Sequence, residues 1–336
     1  MSVPAGYPGP VPADLIDGFG RVHRDLRISV TDRCNYRCLY CMPNEGMAWV
    51  PRSEILTFEE IHRLASLMVE RFGIDSIRIT GGEPTVRANI AVLIELLSRL
   101  PVDLSLTTNG ATLGSLAHDL AGAGLRRINV SCDSLDPGRF AEITRRDDLP
   151  RVLEGIDAAV AAGLDPVKVN VVLMRGRNDD EILDWVEFAR RRGVVVRFIE
   201  FMPLDAQGTW TDDDVVGYEE ILATIGSRHA IEPMHRGSSP AERFRLDDGT
   251  EIGVIPTVTR KFCDTCDRVR LTAEGAFKTC LFGLDEHDLR APLRAGASDA
   301  ELADRIASAV SQKWAGHEIG QVQFIRPPRT MSQIGG

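Results

Sequence analysis

Short apolar runs alternate with stretches of helical period through the first two hundred residues. DLRISVT (25–31), SIRIT (76–80), DLSLTT (103–108), RRINVSC (126–132), VKVNVVLM (167–174) and VVVRFIEFM (194–202) read as strands. Between them, Thr57-Phe58-Glu59-Glu60 opens a helix as a capping box that ends near Gly73. IAVLIELLSRL (90–100), a stretch after Asn109-Gly110, another running to about 162, and DDEILDWVEFARRRG ending at Gly193 complete the helical set. Strands this apolar are buried on both faces, and strands joined by helices run parallel. The pattern predicts an α/β fold, a partial (βα)6 TIM-type barrel, with functional groups at the C-terminal strand ends. Beyond 203 the rhythm changes to a polar loop, a helix at 217–226, short strands near 229–234, 242–246 and 251–255, a cysteine-bearing loop and a helix at 300–314. The expected division is a flexible Pro/Gly-rich arm at 1–20, a barrel core at 21–203 and a smaller α+β region at 204–336.

Composition narrows the class. The chain has 336 residues, 43% hydrophobic and 26% charged, which is the profile of a globular protein rather than a disordered or fibrous one. A net charge of −10 argues against a nucleic-acid-coating surface but leaves room for a local basic pocket. The N-terminus has no basic start followed by an apolar core, and no run approaches the ~18 apolar residues of a membrane span. A cytoplasmic protein without membrane contact is expected. Seven cysteines are too few and too uneven for a disulfide scaffold. They fall into two groups of three plus Cys132, which reads as a small buried side chain.

Cys34, Cys38 and Cys41 are spaced Cys-x3-Cys-x2-Cys, in the loop after the first strand. Three thiolates with no nearby histidine leave a coordination vacancy: a four-iron cluster would keep one iron open, whereas a zinc site would borrow a distant fourth ligand. Cys263, Cys266 and Cys280 repeat the incomplete triad, with His287 available as a fourth donor should the metal be zinc. Arg268 and Arg270 alternate beside this triad, so in an extended segment they share a face suited to an anion. Gly81-Gly82-Glu83-Pro84 follows the second strand; the glycines permit close backbone approach and Glu83 offers a carboxylate to an ammonium group. P-loop, nucleophile-elbow and dinucleotide fingerprints are missing from the sequence.

The first triad with the Gly-Gly-Glu-Pro turn resembles the radical S-adenosylmethionine (SAM) superfamily. LRISVTDRCNYRCLYCMP, RITGGEPTVR, LTTNG, INVSCDSLD, RFIEFMP, FCDTCDRVRLTAEGAFKTCLFG and the terminal Gly335-Gly336 together resemble its GTP 3′,8-cyclase family, molybdenum cofactor biosynthesis protein A, from about residue 18 to 336. The resemblance implies a lyase that uses two [4Fe-4S] clusters, one on Cys34, Cys38 and Cys41 and one on Cys263, Cys266 and Cys280. It implies that a 5′-deoxyadenosyl radical from SAM takes hydrogen from C3′ of GTP, giving (8S)-3′,8-cyclo-7,8-dihydroguanosine 5′-triphosphate, the first step toward molybdopterin. Carried over by motif, Tyr40, Gly82, Ser131 and Met202 would bind SAM. Arg27, Arg78, Thr107, Lys168, Arg268, Val269 and Arg270 would bind GTP. Arg268, Arg270, Gly335 and Gly336 would serve catalysis, the tail entering the site to order the arginines. The implied partners are a reductant such as flavodoxin or ferredoxin and the downstream cyclic pyranopterin monophosphate synthase, with a homodimer as an option for assembly.

Two other readings stand beside this one. A peptide-modifying radical SAM enzyme would also carry two clusters, but with more C-terminal cysteines. A zinc-binding or electron-transfer module would need no catalysis, and iron content separates it from the enzyme.

Overall fold

The computed structural model describes residues 12–43, 47–204, 208–317, 319, 324–325, 327 and 329–335. The first half runs β1 (Asp25–Ser29), α1 (Phe58–Phe72), β2 (Ser76–Thr80), α2 (Ile90–Ser98), β3 (Asp103–Thr108), α3 (Leu113–Gly122), β4 (Arg127–Ser131), α4 (Pro137–Thr144), α5 (Leu149–Ala161), β5 (Val167–Leu173), α6 (Ile182–Arg192) and β6 (Val195–Glu200). The capping box at α1 forms: the Glu60 N–H donates to Thr57 Oγ1 at 3.2 Å, and the Thr57 N–H donates to Glu60 Oε2 at 2.8 Å. Gly73 ends the helix at φ 65°, a left-handed conformation that a Cβ would strain. The C-terminal half adds α7 (Tyr218–Gly226), β7 (Ile231–Met234), β8 (Glu242–Leu246), β9 (Glu251–Ile255), β10 (Arg268–Leu271), β11 (Ala276–Lys278), β12 (His287–Asp288), α8 (Arg290–Arg294), α9 (Asp299–Ser311) and α10 (Met331–Ile334).

These strands form one open sheet in the order β12-β11-β10-β1-β2-β3-β4-β5-β6-β9-β8-β7. Every pairing from β10 through β1–β6 to β9 is parallel. The partial barrel is therefore present, and the C-terminal half extends it on both flanks. Its apolar strand residues, among them Ile28, Ile77, Leu106, Val130, Val169 and Phe198, are fully or almost fully buried against the helices. Cys132 is 1% exposed within this core.

Three features depart from the expected pattern. The helical stretch reaching 162 is two helices, because Arg145 adopts φ 56° and stops α4. Arg268–Leu271 is a sheet strand rather than part of a loop, with all four residues buried. The expected arm is packed where it is described: Leu15 is 2% exposed, and the His23 N–H donates to the Leu15 carbonyl at 2.9 Å. The buried Leu15 and Asp17 anchor the segment despite its Pro/Gly composition. Residues 1–11 lie outside the described residues.

Candidate functional site

The loop carrying Cys34, Cys38 and Cys41 leaves β1 at its C-terminal end and is held by three neighbours. Gly82 N–H donates to the Thr31 carbonyl at 2.7 Å and Glu83 N–H to the Arg33 carbonyl at 2.8 Å. A Cβ on Gly82 would lie 2.4 Å from the Arg33 carbonyl oxygen, so the glycine is required by this loop-to-loop approach. Glu83 is buried, and its carboxylate accepts from Thr85 N–H (3.0 Å), Thr85 Oγ1 (2.6 Å), Thr108 Oγ1 (2.7 Å) and Asn109 N–H (2.6 Å). The carboxylate that the sequence offered to a ligand's ammonium group thus ties its own loop to the one after β3. On the far side, the break between α4 and α5 frees two carbonyls: Leu39 N–H donates to Ile143 (3.0 Å) and Arg37 N–H to Thr144 (3.1 Å).

The thiols suit a metal cluster. Burial pushes Cys34 up to about 11 and Cys41 to about 12, with Cys38 well above its ordinary value, and neighbouring thiols add to the rise at Cys38 and Cys41. Three half-buried thiols whose ionisation is disfavoured by desolvation and by neighbouring acidic groups need a cationic guest to become thiolates. Among the described residues no three His, Cys, Asp or Glu side chains converge as single-ion ligands. His287, the fourth donor of the zinc alternative, lies in β12 paired with Phe277 at the sheet edge.

The second triad opens onto a cavity of about 220 Å³ that Arg268 and Arg270 also line. Tyr40, Ser131 and Met202 line the same cavity from the barrel side, together with Arg27, Arg78 and Thr107. Burial pushes Cys266 up, but Arg268 and Lys313 outweigh it and bring the thiol down to about 7. Arg27 stands opposite both Arg78 and Arg270 across the sheet. Burial, then repulsion from Arg78 and Arg270, holds its guanidinium well below its ordinary value. Its Nε has no hydrogen-bond partner, and Asp25 Oδ2 is 3.9 Å away. Burial brings Arg197 down to about 9, Arg270 to about 10 and Lys168 to about 7. A buried cation cluster with so little counter-charge is a site for a polyanion.

Not every expected residue faces this cavity. Lys168 lines an adjoining cleft at the opposite strand ends, which shares Arg78 and Arg197 with the cavity. The Val269 side chain is fully buried in the hydrophobic core, opposite in phase to its arginine neighbours. Gly82 sits behind the cysteine loop and does not line the cavity. The C-terminal tail does enter: Arg270 Nη1 donates to the Gly335 carbonyl, and the Ser332 N–H donates to Cys41. A Cβ on Gly335 would lie 2.8 Å from Thr80 Cγ2, and its φ is 83°. Gly336 lies outside the described residues.

Two residues went unremarked in the sequence. Arg197 lies in the cavity wall, donating to Asn170 Oδ1 (2.9 Å) and Asn129 Oδ1 (2.7 Å). A charge inside the apolar run VVVRFIEFM was its signal. Asp133, pushed up to about 6 by burial, accepts from the Tyr40 hydroxyl at 2.6 Å and the Val172 N–H at 2.9 Å, so it orients the cavity-lining phenol.

Comparison with known proteins covers the whole chain. Residues 28–189 match the radical SAM superfamily model and residues 194–319 the molybdenum cofactor synthesis C model. The GTP 3′,8-cyclase of Rhodopirellula baltica is 47% identical over 100% of this chain and 96% of its own. That of Streptomyces coelicolor is 48% identical over 96% of each, and that of Mycolicibacterium smegmatis 46% identical over 97% of this chain and 94% of its own. Among solved structures, Streptococcus suis SuiB shares the fold with a TM-score of 0.62 at 14% identity, covering 87% of this chain and 68% of that one.

Proposed function

The chain belongs to the GTP 3′,8-cyclase family of the radical SAM superfamily, and on that premise we propose which of its residues hold the cofactors and the nucleotide. The enzyme is a lyase that uses SAM and two [4Fe-4S] clusters in the first step of molybdenum cofactor biosynthesis. Cys34, Cys38 and Cys41 hold the first cluster; Cys263, Cys266 and Cys280 hold the second. When bound there, the first cluster would supply the single electron that cleaves SAM, the radical source for joining C3′ of GTP to C8 in this family's reaction.

The protein's own work is to position and charge-balance. Tyr40, held by Asp133, with Ser131 and Met202, lines the SAM end, and Gly82 acts through the loop that it packs. Arg27, Arg78 and Arg197 face the triphosphate, with Lys168 reaching it from the adjoining cleft. Thr107 offers a hydroxyl, and Val269 contributes through its backbone. Arg268 and Arg270 flank the nucleotide beside the second cluster, and the Gly335 carbonyl sets the rotamer of Arg270. Residues 21–203 thus serve SAM and the first cluster, and residues 204–336 serve the second cluster, with Gly336 extending the tail.

The observation that carries this reading is the single cavity that joins Tyr40, next to the first triad, to Cys263, Cys266 and Cys280 across a cluster of buried arginines. The proposal extends to an external one-electron donor of flavodoxin or ferredoxin type, hand-over to cyclic pyranopterin monophosphate synthase, a cytoplasmic setting and assembly as a homodimer. No helix among the described residues is long and apolar enough to cross a membrane. Anaerobic reconstitution tests the reading: about eight irons per chain are expected if each triad holds a cubane. Zinc with little iron would overturn it.

A further inference from the structure

The segment after α9 closes over the second triad. Lys313 is 4% exposed, and its Nζ lies 2.8 Å from His23 Nε2, 2.7 Å from the Arg268 carbonyl and 3.7 Å from Cys266 Sγ. An ammonium group has three N–H donors and no acceptor, so each proton has one of these partners. His23, fully buried, must then accept at Nε2 and carry its own proton on Nδ1. That proton faces the carbonyls of Arg21 at 3.0 Å and Leu15 at 3.3 Å, which completes one self-consistent set of donors and acceptors.

The same segment is anchored from the other side. Arg21 donates to the carbonyls of Cys263 (2.8 Å), Ala315 (2.6 Å) and Trp314 (2.6 Å), and its Nε pairs with Asp17 at 2.6 Å. A Cβ on Gly316 would lie 2.8 Å from Cys263 Cβ, and the His317 N–H donates to the Cys263 thiol. Residues 15–23 and 313–317 together enclose the two cysteines of the Cys-x2-Cys pair.

We propose that Lys313 is a positioning residue for the second iron–sulfur cluster, donating a charge-assisted N–H···S bond to Cys266 while its bond to the Arg268 carbonyl fixes that strand against the cluster. The proposal rests on the reading that Cys263, Cys266 and Cys280 hold that cluster. A cationic donor to a ligand sulfur stabilises the reduced, more negative cluster and so raises its potential. Lys313 also couples the cluster to the strand that presents Arg268 and Arg270 to the nucleotide.

The test uses the full, anaerobically reconstituted chain, with wild type, Lys313→Met and Lys313→Arg compared. Iron per chain is measured, with a redox titration followed by electron paramagnetic resonance, the second cluster's signal being the one that Cys263→Ala removes. At a fixed potential, Lys313→Met is expected to lower the reduced-to-oxidised ratio of the second cluster about tenfold, which is about 59 mV for one electron. The first cluster's midpoint stays put, GTP binds more weakly, and Lys313→Arg recovers part of the shift. Full iron with an unchanged second midpoint in Lys313→Met would overturn the proposal. If that variant does not fold, His23→Gln keeps Lys313 but displaces its third acceptor; a smaller shift in the same direction supports the proposal and no shift overturns it. Wild type lacking a second iron cluster would instead refute the reading beneath it.

Discussion

Arg27 shows at one side chain how function opposes stability. It is buried, faces two other arginines and has an unpartnered Nε, so its charge is costly until an anion arrives. Arg27→Met is expected to hold or raise the melting temperature while weakening GTP binding by about 2 kcal/mol, the loss of one charge-assisted hydrogen bond. Calorimetry on the ligand-free protein and a binding titration check both signs. Lys168 carries the pH dependence. Burial lowers it from 10.5 to about 7, so near pH 8 the free protein holds it mostly neutral. A triphosphate favours the charged form, so binding takes up a proton, and affinity falls as pH rises from about 6.5 to 8.5. Stability has the opposite sign: between about 7 and 10.5 the unfolded chain binds the extra proton, so this group favours folding as pH rises. Titration calorimetry in two buffers of different ionisation heat reads the uptake, which Lys168→Met should abolish.

Among the elements, the strands of the barrel were legible because each is a short apolar run bounded by turn residues or a cap. Two elements were not, for different physical reasons. The end of α4 has no glycine: Arg145 adopts its positive φ, and the Arg145 Nη1 bond to the Arg37 carbonyl at 3.1 Å is a tertiary contact that local pattern cannot show, although Pro150 in the first turn of α5 does mark the restart. β10 reads as a polar pair of arginines, and its pairing with β1 on one side and β11 on the other makes it a strand. The two triads, and Arg268 and Arg270 within the second, could be picked out from spacing. The loop-tying contacts of Glu83 and Gly82 could not, because they are tertiary and local pattern does not show them. Gly82→Ala places a Cβ against the Arg33 carbonyl and should dislodge the first cysteine loop. We expect about four irons lost per chain, with the second cluster retained. Metal analysis with retained GTP-sensitive paramagnetism checks it; eight irons in this variant would contradict the loop-packing account.

At the scale of the whole molecule, a chain of net charge −10 gathers Arg27, Arg78, Arg197, Arg268 and Arg270 along one cavity. The anion is drawn to this local field rather than to the surface at large. Two segments far apart in sequence, residues 15–23 and α10, converge there. Residues 15–23 buttress the second triad, and α10 brings Ser332 to Cys41 and Gly335 to Arg270. Removing Gly335 and Gly336 should leave both clusters and SAM binding intact but release Arg270, lowering cyclisation at least tenfold, about 1.4 kcal/mol. Product analysis beside an iron count checks this; undiminished cyclisation would show that the tail is only packing.

The most direct measurement is the fate of one hydrogen. Supplied with SAM, a low-potential reductant and GTP deuterated at C3′, the reconstituted enzyme should form 5′-deoxyadenosine carrying that deuterium, in step with the cyclised nucleotide. Unlabelled 5′-deoxyadenosine, or the same yield without GTP, would contradict a cavity built to bring the two substrates together.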